Sequence, residues 1–252
     1  MLTDNDYLRF GRQLLMPQWG EPGQGQLARQ RVLLIGLGGL GCPALQYLAG
    51  AGVGQLRLVD ADTVSLSNLP RQTLYRPDQV GELKVTAAAQ WVAAHNPGLS
   101  VEAIAGMATA ERLPALLEQV DVVLDCTDQL ASRHAINAAC VARGVPLVSG
   151  AAIGWQGQLM VIDPVNTPAS ACFACLSDPN ETATPDSCQQ AGVAGPVVGA
   201  VGTLQALLAL RLLLGQSVQP GLHRFDGLQF QWQRFELSPV AECPVCGDSR
   251  SL

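Results

Sequence analysis

The sequence predicts a doubly wound α/β fold with a mostly parallel sheet, and three observations carry that prediction. An apolar run, Val32-Leu33-Leu34-Ile35, passes into Gly36-Leu37-Gly38-Gly39-Leu40-Gly41 and resumes as Leu56-Arg57-Leu58-Val59-Asp60. A second apolar run with a polar end, Val120 to Asp128, has the composition of a central parallel strand. Helical and strand-like stretches alternate through the rest, as they do where crossover helices join parallel strands with helices on both faces.

The first stretch reads as strand, glycine turn, helix, strand. Glycines let the backbone bend sharply and approach a phosphate, which then sits at the N-terminus of the next helix. Asp60 falls 19 residues after Gly41, near the ~20 expected of a ribose-binding acid. Residues 32–56 carry no charge, so a membrane span is the rival reading. Seven glycines, a proline and two glutamines in that window argue against a continuous apolar helix.

Before this unit, residues 4–13 set Asp6, Arg9 and Arg12 among apolar neighbours, the pattern of a short amphipathic helix. Pro17, Gly20, Pro22, Gly23 and Gly25 then predict a loop. After it, the polar stretch from Asp60 to Gln72 is too long for a plain turn and reads as a functional loop. Leu83–His95 reads as a helix halted by Asn96-Pro97. Val101–Ala105 is a strand candidate, and a helix near Leu113–Glu118 leads into the Val120–Asp128 strand.

Ser132–Arg143 is helical with Gly144 just past its end, and Val145–Ala151 and Gln158–Ile162 are further strands. Ser177–Gln190, rich in Pro, Thr, Ser and Asp, is expected to be a mobile loop. Gly195–Leu214 should be a long buried helix; its apolar part, Thr203–Leu214, is short for a membrane span and broken by Arg211. Phe225 and Phe230–Leu237 mark late strands. No internal repeat is visible. The expected organisation is one domain: an N-terminal helical arm (1–30), a nucleotide-binding half (31–165), and a last part (166–252) holding a crossover loop, the buried helix, late strands and a metal site.

At 252 residues and 48% hydrophobic content the chain can bury a sizeable core. A net charge of −6 and a pI near 5.0 argue against a nucleic-acid surface. Met1–Arg12 is charged and lacks the apolar core of a signal peptide, so a cytoplasmic enzyme acting away from any membrane is the expectation.

Four of the eight cysteines form two CxxC units, Cys172-Phe173-Ala174-Cys175 and Cys243-Pro244-Val245-Cys246. In a reducing compartment such pairs are more often zinc ligands than disulfides. Sixty-seven residues lie between Cys175 and Cys243, so the metal would staple the chain end to the crossover region. Four thiolates leave no open coordination position, which makes the zinc structural. Cys42, Cys126 and Cys140 lie in apolar stretches and read as core, whereas Cys188 lies in the polar loop. His95, His134 and His223 show no partners in the sequence and read as structural.

A glycine turn with Asp60 fits a dinucleotide or ATP. Here polar candidates recur at predicted strand ends: Asn68, Arg71, Lys84 and Asp128. Arg71 and Lys84 can neutralise a polyphosphate and Asp128 can hold magnesium. Either cation alone would read as a solvated surface charge. The set suits triphosphate chemistry better than hydride transfer.

At this point the residues resemble a family. Gly36–Gly41, Asp60 with Asp62, Ser67-Asn68-Leu69-x-Arg71-Gln72, Lys84, Asp125-Cys126-Thr127-Asp128 and both CxxC units are similar to the ThiF/MoeB/HesA adenylyltransferases, bacterial relatives of ubiquitin-activating enzymes. The likeness runs in order from Arg12-Gln13 to Cys246. It implies ATP-dependent adenylation of the C-terminal glycine of a ubiquitin-like sulfur carrier protein. It also implies that the nucleotide site is formed by Gly36, Gly38, Gly39, Gly41, Asp60, Asp62, Ser67, Asn68, Arg71, Lys84, Asp128 and Gln129. Within that set Asp60 would hold the ribose, Asn68, Arg71 and Lys84 the phosphates, and Asp128 magnesium.

Arg12 matches a family arginine that reaches into the partner subunit's site, which implies a homodimer. Cys188 matches the crossover-loop cysteine that can carry the activated carrier during sulfur transfer. Pro70 and Gln129 depart from the family pattern, the first at a usually polar position, the second where asparagine is common. Neither removes a charge that the chemistry needs.

The tract Gly192–Gly199 followed by Gly202–Ala206 looks closer to the thiamine-thiazole branch than to the molybdopterin branch. The chain ends soon after Cys246, so sulfur is expected from a separate persulfide donor rather than from an appended rhodanese domain. Three rivals remain: the same adenylation of the molybdopterin-synthase carrier, an NAD-dependent oxidoreductase, and a zinc-stapled nucleotide-binding protein without turnover.

Overall fold

The computed structural model describes residues 2–179 and 192–247. Its centre is an eight-stranded sheet of order β3-β2-β1-β4-β5-β6-β7-β8. The strands are β1 (Arg31–Ile35), β2 (Gln55–Asp60), β3 (Ser100–Ala105), β4 (Val122–Asp125), β5 (Leu147–Ile153), β6 (Gln156–Ile162), β7 (Gly221–Asp226) and β8 (Gln231–Phe235). The first five in spatial order run parallel; β6, β7 and β8 then continue the sheet antiparallel.

The parallel half is buried on both faces because its strands are apolar at successive positions. On β1, Val32 and Leu34 join one core layer with Leu56, Leu58, Leu124 and Val148. Leu33 and Ile35 point the other way and join Val59, Val123 and Leu147. The first layer is covered by α3 (Gly41–Ala51), α4 (Lys84–His95) and α8 (Gly195–Leu213). The second is covered by the short α5 (Leu113–Leu116), α6 (Leu130–Arg143) and a single turn, α7 (Phe173–Leu176), and it includes three of the paired cysteines as buried members.

α8 is long and apolar enough to cross a membrane by length and composition, but half of it is buried within the fold. Val197, Val201, Gln205 and Ala209 lie on its buried side. It is a core helix, as the sequence predicts. Cys42, Cys126 and Cys140 are buried core residues too.

Several sequence predictions are revised, the first being the N-terminal loop. The stretch expected to be a loop around Pro17–Gly25 contains α2 (Gly20–Leu27), following α1 (Asp4–Leu14). Local propensity is overridden by packing. A Cβ on Gly23 would meet Leu214 at 2.9 Å, so glycine permits a close approach to the end of α8. Buried Gln24 donates to the Ala51 carbonyl at 3.0 Å, and Gln26 to Leu213 O at 2.6 Å. Pro22 sits in the first turn, where an N–H has no intrahelical acceptor to lose.

The strand expected to run to Asp128 stops at Asp125, because its carboxylate accepts the Thr127 amide at 3.0 Å and turns the chain. β5 starts after Pro146, which cannot donate to the ladder, and extends to Ile153. Phe230, expected in the last strand, sits in the preceding turn at φ 52°, beyond the Asp226 side chain that accepts the Leu228 and Gln229 amides.

Candidate active site and metal centre

The strand order reverses at β1: the chain leaves it for β2 on one side, while β4 lies on the other. Ligands of doubly wound sheets bind outside the strand C-termini at such a point. The glycine turn begins there. Gly36 has φ +90°, and a Cβ on it would lie 2.7 Å from the Cys126 carbonyl oxygen, so β1 and the β4–α6 loop approach as only glycine allows.

The turn is pinned at Leu37. Its amide donates to Asp60 Oδ2 at 2.6 Å, and its carbonyl accepts the Tyr75 hydroxyl at 2.8 Å. The other Asp60 oxygen accepts the Asp62 amide at 2.7 Å. Burial raises the Asp60 carboxyl above its ordinary value, against the opposing pull of these amides and of Lys84. Burial likewise raises the Tyr75 phenol, keeping it a donor, and pushes the Cys42 thiol up to about 12. Cys42 is therefore an inert core thiol, not a nucleophile.

Lys84 opens α4, and its buried side chain reaches Asp62 Oδ2 at 2.8 Å. In the loop between them, a 3-10 turn spans Leu66–Asn68. Arg71 is half-buried and donates to Ser67 O at 3.0 Å. Buried Gln72 donates to Asn68 Oδ1 at 2.8 Å, and Asn68 in turn donates to Ser65 Oγ. Among the described residues Gln72 Oε1 accepts no hydrogen bond although it is buried. Gly39 lies beneath the first turn of α8: a Cβ there would meet Val198 Cγ1 at 2.5 Å and Arg71 O at 3.3 Å.

On the β4 side, fully buried Asp125 accepts Thr127 Oγ1 at 2.7 Å and Ser149 Oγ at 2.9 Å. These bonds set the loop that presents Asp128 and Gln129, both exposed, at the start of α6. Gln205 of α8 is fully buried and donates to Asp125 O at 2.8 Å and Val148 O at 3.1 Å, bridging β4 and β5.

The glycine turn, Asp60, Asp62, Ser67, Asn68, Arg71 and Lys84 are thus linked by contacts around the C-terminal ends of β1 and β2, and the Asp128 loop follows β4, the other neighbour of β1. Arg12 is not part of this cluster within one chain. Its helix is fastened to the far end of α3, where Gln13 donates to Ala51 O at 2.9 Å, about 16 Å along that helix from the glycine turn. Cys188 lies outside the described residues. Pro70 is exposed, and its carbonyl packs 3.1 Å from the position of a Cβ on Gly195, so it abuts the start of α8.

Sequence reasoning gives no role to the groups that hold the site from behind: Tyr75 is not singled out, and Gln72, Asp125 and Gln205 are named only as members of motifs. A signal existed for two of them, an acid inside an apolar strand and a glutamine inside an apolar helix. For Tyr75 no local pattern points to the role.

The two CxxC units meet as expected. The ligating atoms of Cys172, Cys175, Cys243 and Cys246 all lie within 4.8 Å of one another. Cys172 Sγ is 3.7 Å from Cys243 Sγ, and Cys175 Sγ is 3.5 Å from Cys246 Sγ. A tetrahedron with Zn–S bonds of about 2.3 Å has edges of about 3.8 Å, so the cluster fits zinc. Donors surround the sulfurs: Val240 N lies 3.4 Å from Cys175 Sγ and Asn137 Nδ2 lies 3.6 Å from Cys172 Sγ. Burial raises the Cys172 thiol. At Cys243, burial is outweighed by amide donors from Cys246 and Val245, which bring the thiol down to about 7.

The histidines have structural settings. His95 stacks on Trp91, and His134 tilts against Phe173 at 4.9 Å. Burial lowers the pKa of both His134 and His223.

Fold and site together define a protein of the doubly wound α/β class with a four-cysteine cluster whose geometry fits zinc. Residues 10–245 match the ThiF family, and the chain belongs to that family. It is 45% identical over 252 residues to the sulfur carrier protein ThiS adenylyltransferase of Escherichia coli K12, covering 99% of both chains. It is 42% identical over 249 residues to the molybdopterin-synthase adenylyltransferase of the same organism, covering 98% of both. Among solved structures, E. coli MccB with succinimide superposes with a TM-score of 0.79 at 20% identity, over 98% of this chain and 75% of that one. The last likeness concerns the fold.

Proposed function

We propose that the protein adenylates the C-terminal glycine carboxylate of a ubiquitin-like, ThiS-type sulfur carrier with ATP, releasing pyrophosphate. The observation that carries this reading is the cluster of side chains at the β1/β4 switch point. It sets a glycine turn beside an acid, two cations and a second acid on the neighbouring loop. Carboxylate and triphosphate repel each other, so the site must position them and neutralise charge as the carrier oxygen attacks the α-phosphorus. Asp60 orders the turn and offers its remaining lone pairs to the ribose. Lys84 and Arg71 face the phosphates, with Ser67 and Asn68 supplying hydrogen bonds, and Asp62 holds Lys84 until the nucleotide arrives. Asp128 would hold magnesium, with Gln129 beside it, and that ion would offset phosphate charge.

Arg12 would complete the site of a second copy in a homodimer, and Cys188 would hold the carrier covalently while a separate donor delivers persulfide sulfur. The single-domain organisation and the cytoplasmic setting belong to the same proposal. The 42% identity to a molybdopterin-synthase adenylyltransferase supports a second reading, the same chemistry on the molybdopterin-type carrier. ATP–pyrophosphate exchange tests both. Exchange dependent on the thiamine-type carrier is the expected result; dependence on the molybdopterin-type carrier selects the second reading. NAD binding without exchange overturns both.

A further inference from the structure

Two residues one turn apart on α6 join the cysteine cluster to the loop that carries Asp128. Arg133 is buried, and its Nε donates to Thr127 O at 3.3 Å while Nη2 donates to Gly150 O. The same guanidinium lies 5.7 Å from the centre of the Phe173 ring. Phe173 is the first of the two residues between the first pair of cysteines, immediately after Cys172. Asn137, fully buried, accepts the Phe173 amide at 3.0 Å and donates to Cys172 Sγ at 3.6 Å. Residues four apart lie on one helix face, so a single stripe of α6 holds the cysteine turn and the residue preceding Asp128.

We infer that Arg133 and Asn137 are positioning residues that couple the tetrathiolate centre to the nucleotide site. Asn137 orients Cys172 and fixes α7 by its backbone. The ring of Phe173, held in place by that turn, lies beneath the Arg133 guanidinium at cation–π distance. Arg133 then fixes the Thr127 carbonyl and the Gly150 carbonyl, tying the loop from β4 to the middle of β5. A guanidinium suits this task because its planar fork binds two carbonyls while its charge stays over an aromatic ring. Loss of metal at the cysteines loosens that ring, and the Asp128 loop loses its register. Because coupling between two binding sites is reciprocal, magnesium–ATP must in turn strengthen metal retention.

The inference rests on the nucleotide and zinc readings above, and its test separates the three. Zinc affinity of the full-length protein is measured by competition with a chromophoric chelator, with and without saturating magnesium–ATP and in the absence of any carrier. Magnesium–ATP binding is measured separately by calorimetry. In the unsubstituted protein the nucleotide should tighten zinc binding about fivefold or more. Arg133→Lys keeps the charge but loses the fork that binds both carbonyls. It should leave zinc affinity in the absence of nucleotide within about twofold and abolish the tightening. Asn137→Ala should lower zinc affinity about tenfold even without nucleotide, as loss of a partner behind a ligand does. If ATP binds and zinc binds yet neither alters the other, or if Arg133→Lys retains full coupling, the inference is overturned. Absence of ATP binding would overturn the nucleotide reading, and absence of zinc the metal reading; either removes the inference with it.

Discussion

Lys84 Nζ lies 2.8 Å from Asp62 Oδ2, and the two side chains sit on opposite sides of the surface: that of Lys84 is 5% exposed and that of Asp62 71%. The pair is therefore asymmetric. Removing the lysine leaves an aspartate that water already solvates, whereas removing the aspartate leaves a buried ammonium without that partner. Lys84→Met should change stability by less than about 1 kcal/mol while weakening ATP binding at least about tenfold. Asp62→Ala should destabilise by about 1–3 kcal/mol. Urea denaturation and calorimetry check the pair. Equal stability losses would mean that Lys84 is not desolvated in solution.

Asp60 predicts a pH dependence of defined sign. Burial raises its folded carboxyl above the ordinary value of 3.8. A raised folded pKa contributes stability that is present below the unfolded pKa and lost as pH rises through the folded one. At neutral pH the amides of Leu37 and Asp62 and the charge of Lys84 oppose the cost of burying the ion. Asp60→Asn lacks this titration, so the stability difference between the two proteins should move in the variant's favour as pH rises from about 3 to about 6. Denaturant midpoints across that range check it; drift the other way would show that the amides of Leu37 and Asp62 outweigh burial.

Much of this was legible in the sequence because the parallel half states its own pattern. Apolar runs ending in polar residues mark β1 and β4, and the spacing from Gly41 to Asp60 brings Asp60 back onto the glycine turn. What was not legible depends on contacts between distant segments. α2 forms from a stretch rich in glycine and proline because Gly23 meets Leu214 and Gln24 meets Ala51, nearly 200 and about 30 residues away in the chain. Tyr75, 38 residues from Leu37, grips the glycine turn without any local signature. The arrest of β4 at Asp125 depends on Ser149 and Thr127 together. Sequence periodicity reports burial on one element; it carries no information on which partner satisfies a buried polar group.

The cysteine cluster predicts a metal-dependent fold at the chain's end. Cys243→Ser should abolish the expected one zinc per chain and loosen both cysteine turns, since each sulfur lies in the second core layer or at its edge. Elemental analysis should show metal loss, and thermal unfolding should shift down by several degrees or more, consistent with binding energy that is also folding energy. Full zinc content in the variant would exclude Cys243 as a ligand.

Cys188 separates the two halves of the proposed reaction. Cys188→Ser should leave carrier-dependent pyrophosphate exchange within about twofold, because adenylation requires only the nucleotide site, and should stop thiocarboxylate formation, which needs a thiolate nucleophile. Mass spectrometry of the carrier C-terminus reads the second step. Undiminished thiocarboxylate would remove Cys188 from the chemistry.

Gly39 tests whether the glycine turn and α8 act as one packed unit. A methyl at Gly39 would lie 2.5 Å from Val198 Cγ1, closer than carbon atoms approach, and 3.3 Å from the Arg71 carbonyl oxygen. Something must shift, and the candidates are the first turn of α8 and the backbone that carries Arg71. Gly39→Ala should destabilise by about 1–3 kcal/mol, the range for overpacking, and should weaken ATP binding by moving Arg71. Val198→Ala removes the colliding methyl and leaves a small cavity of its own. The double variant should therefore recover part of the lost stability and of the lost affinity, a coupling of about 0.5 kcal/mol or more. Strict additivity would mean that the methyl is accommodated away from Val198, and the loss of affinity would then belong to the turn backbone alone.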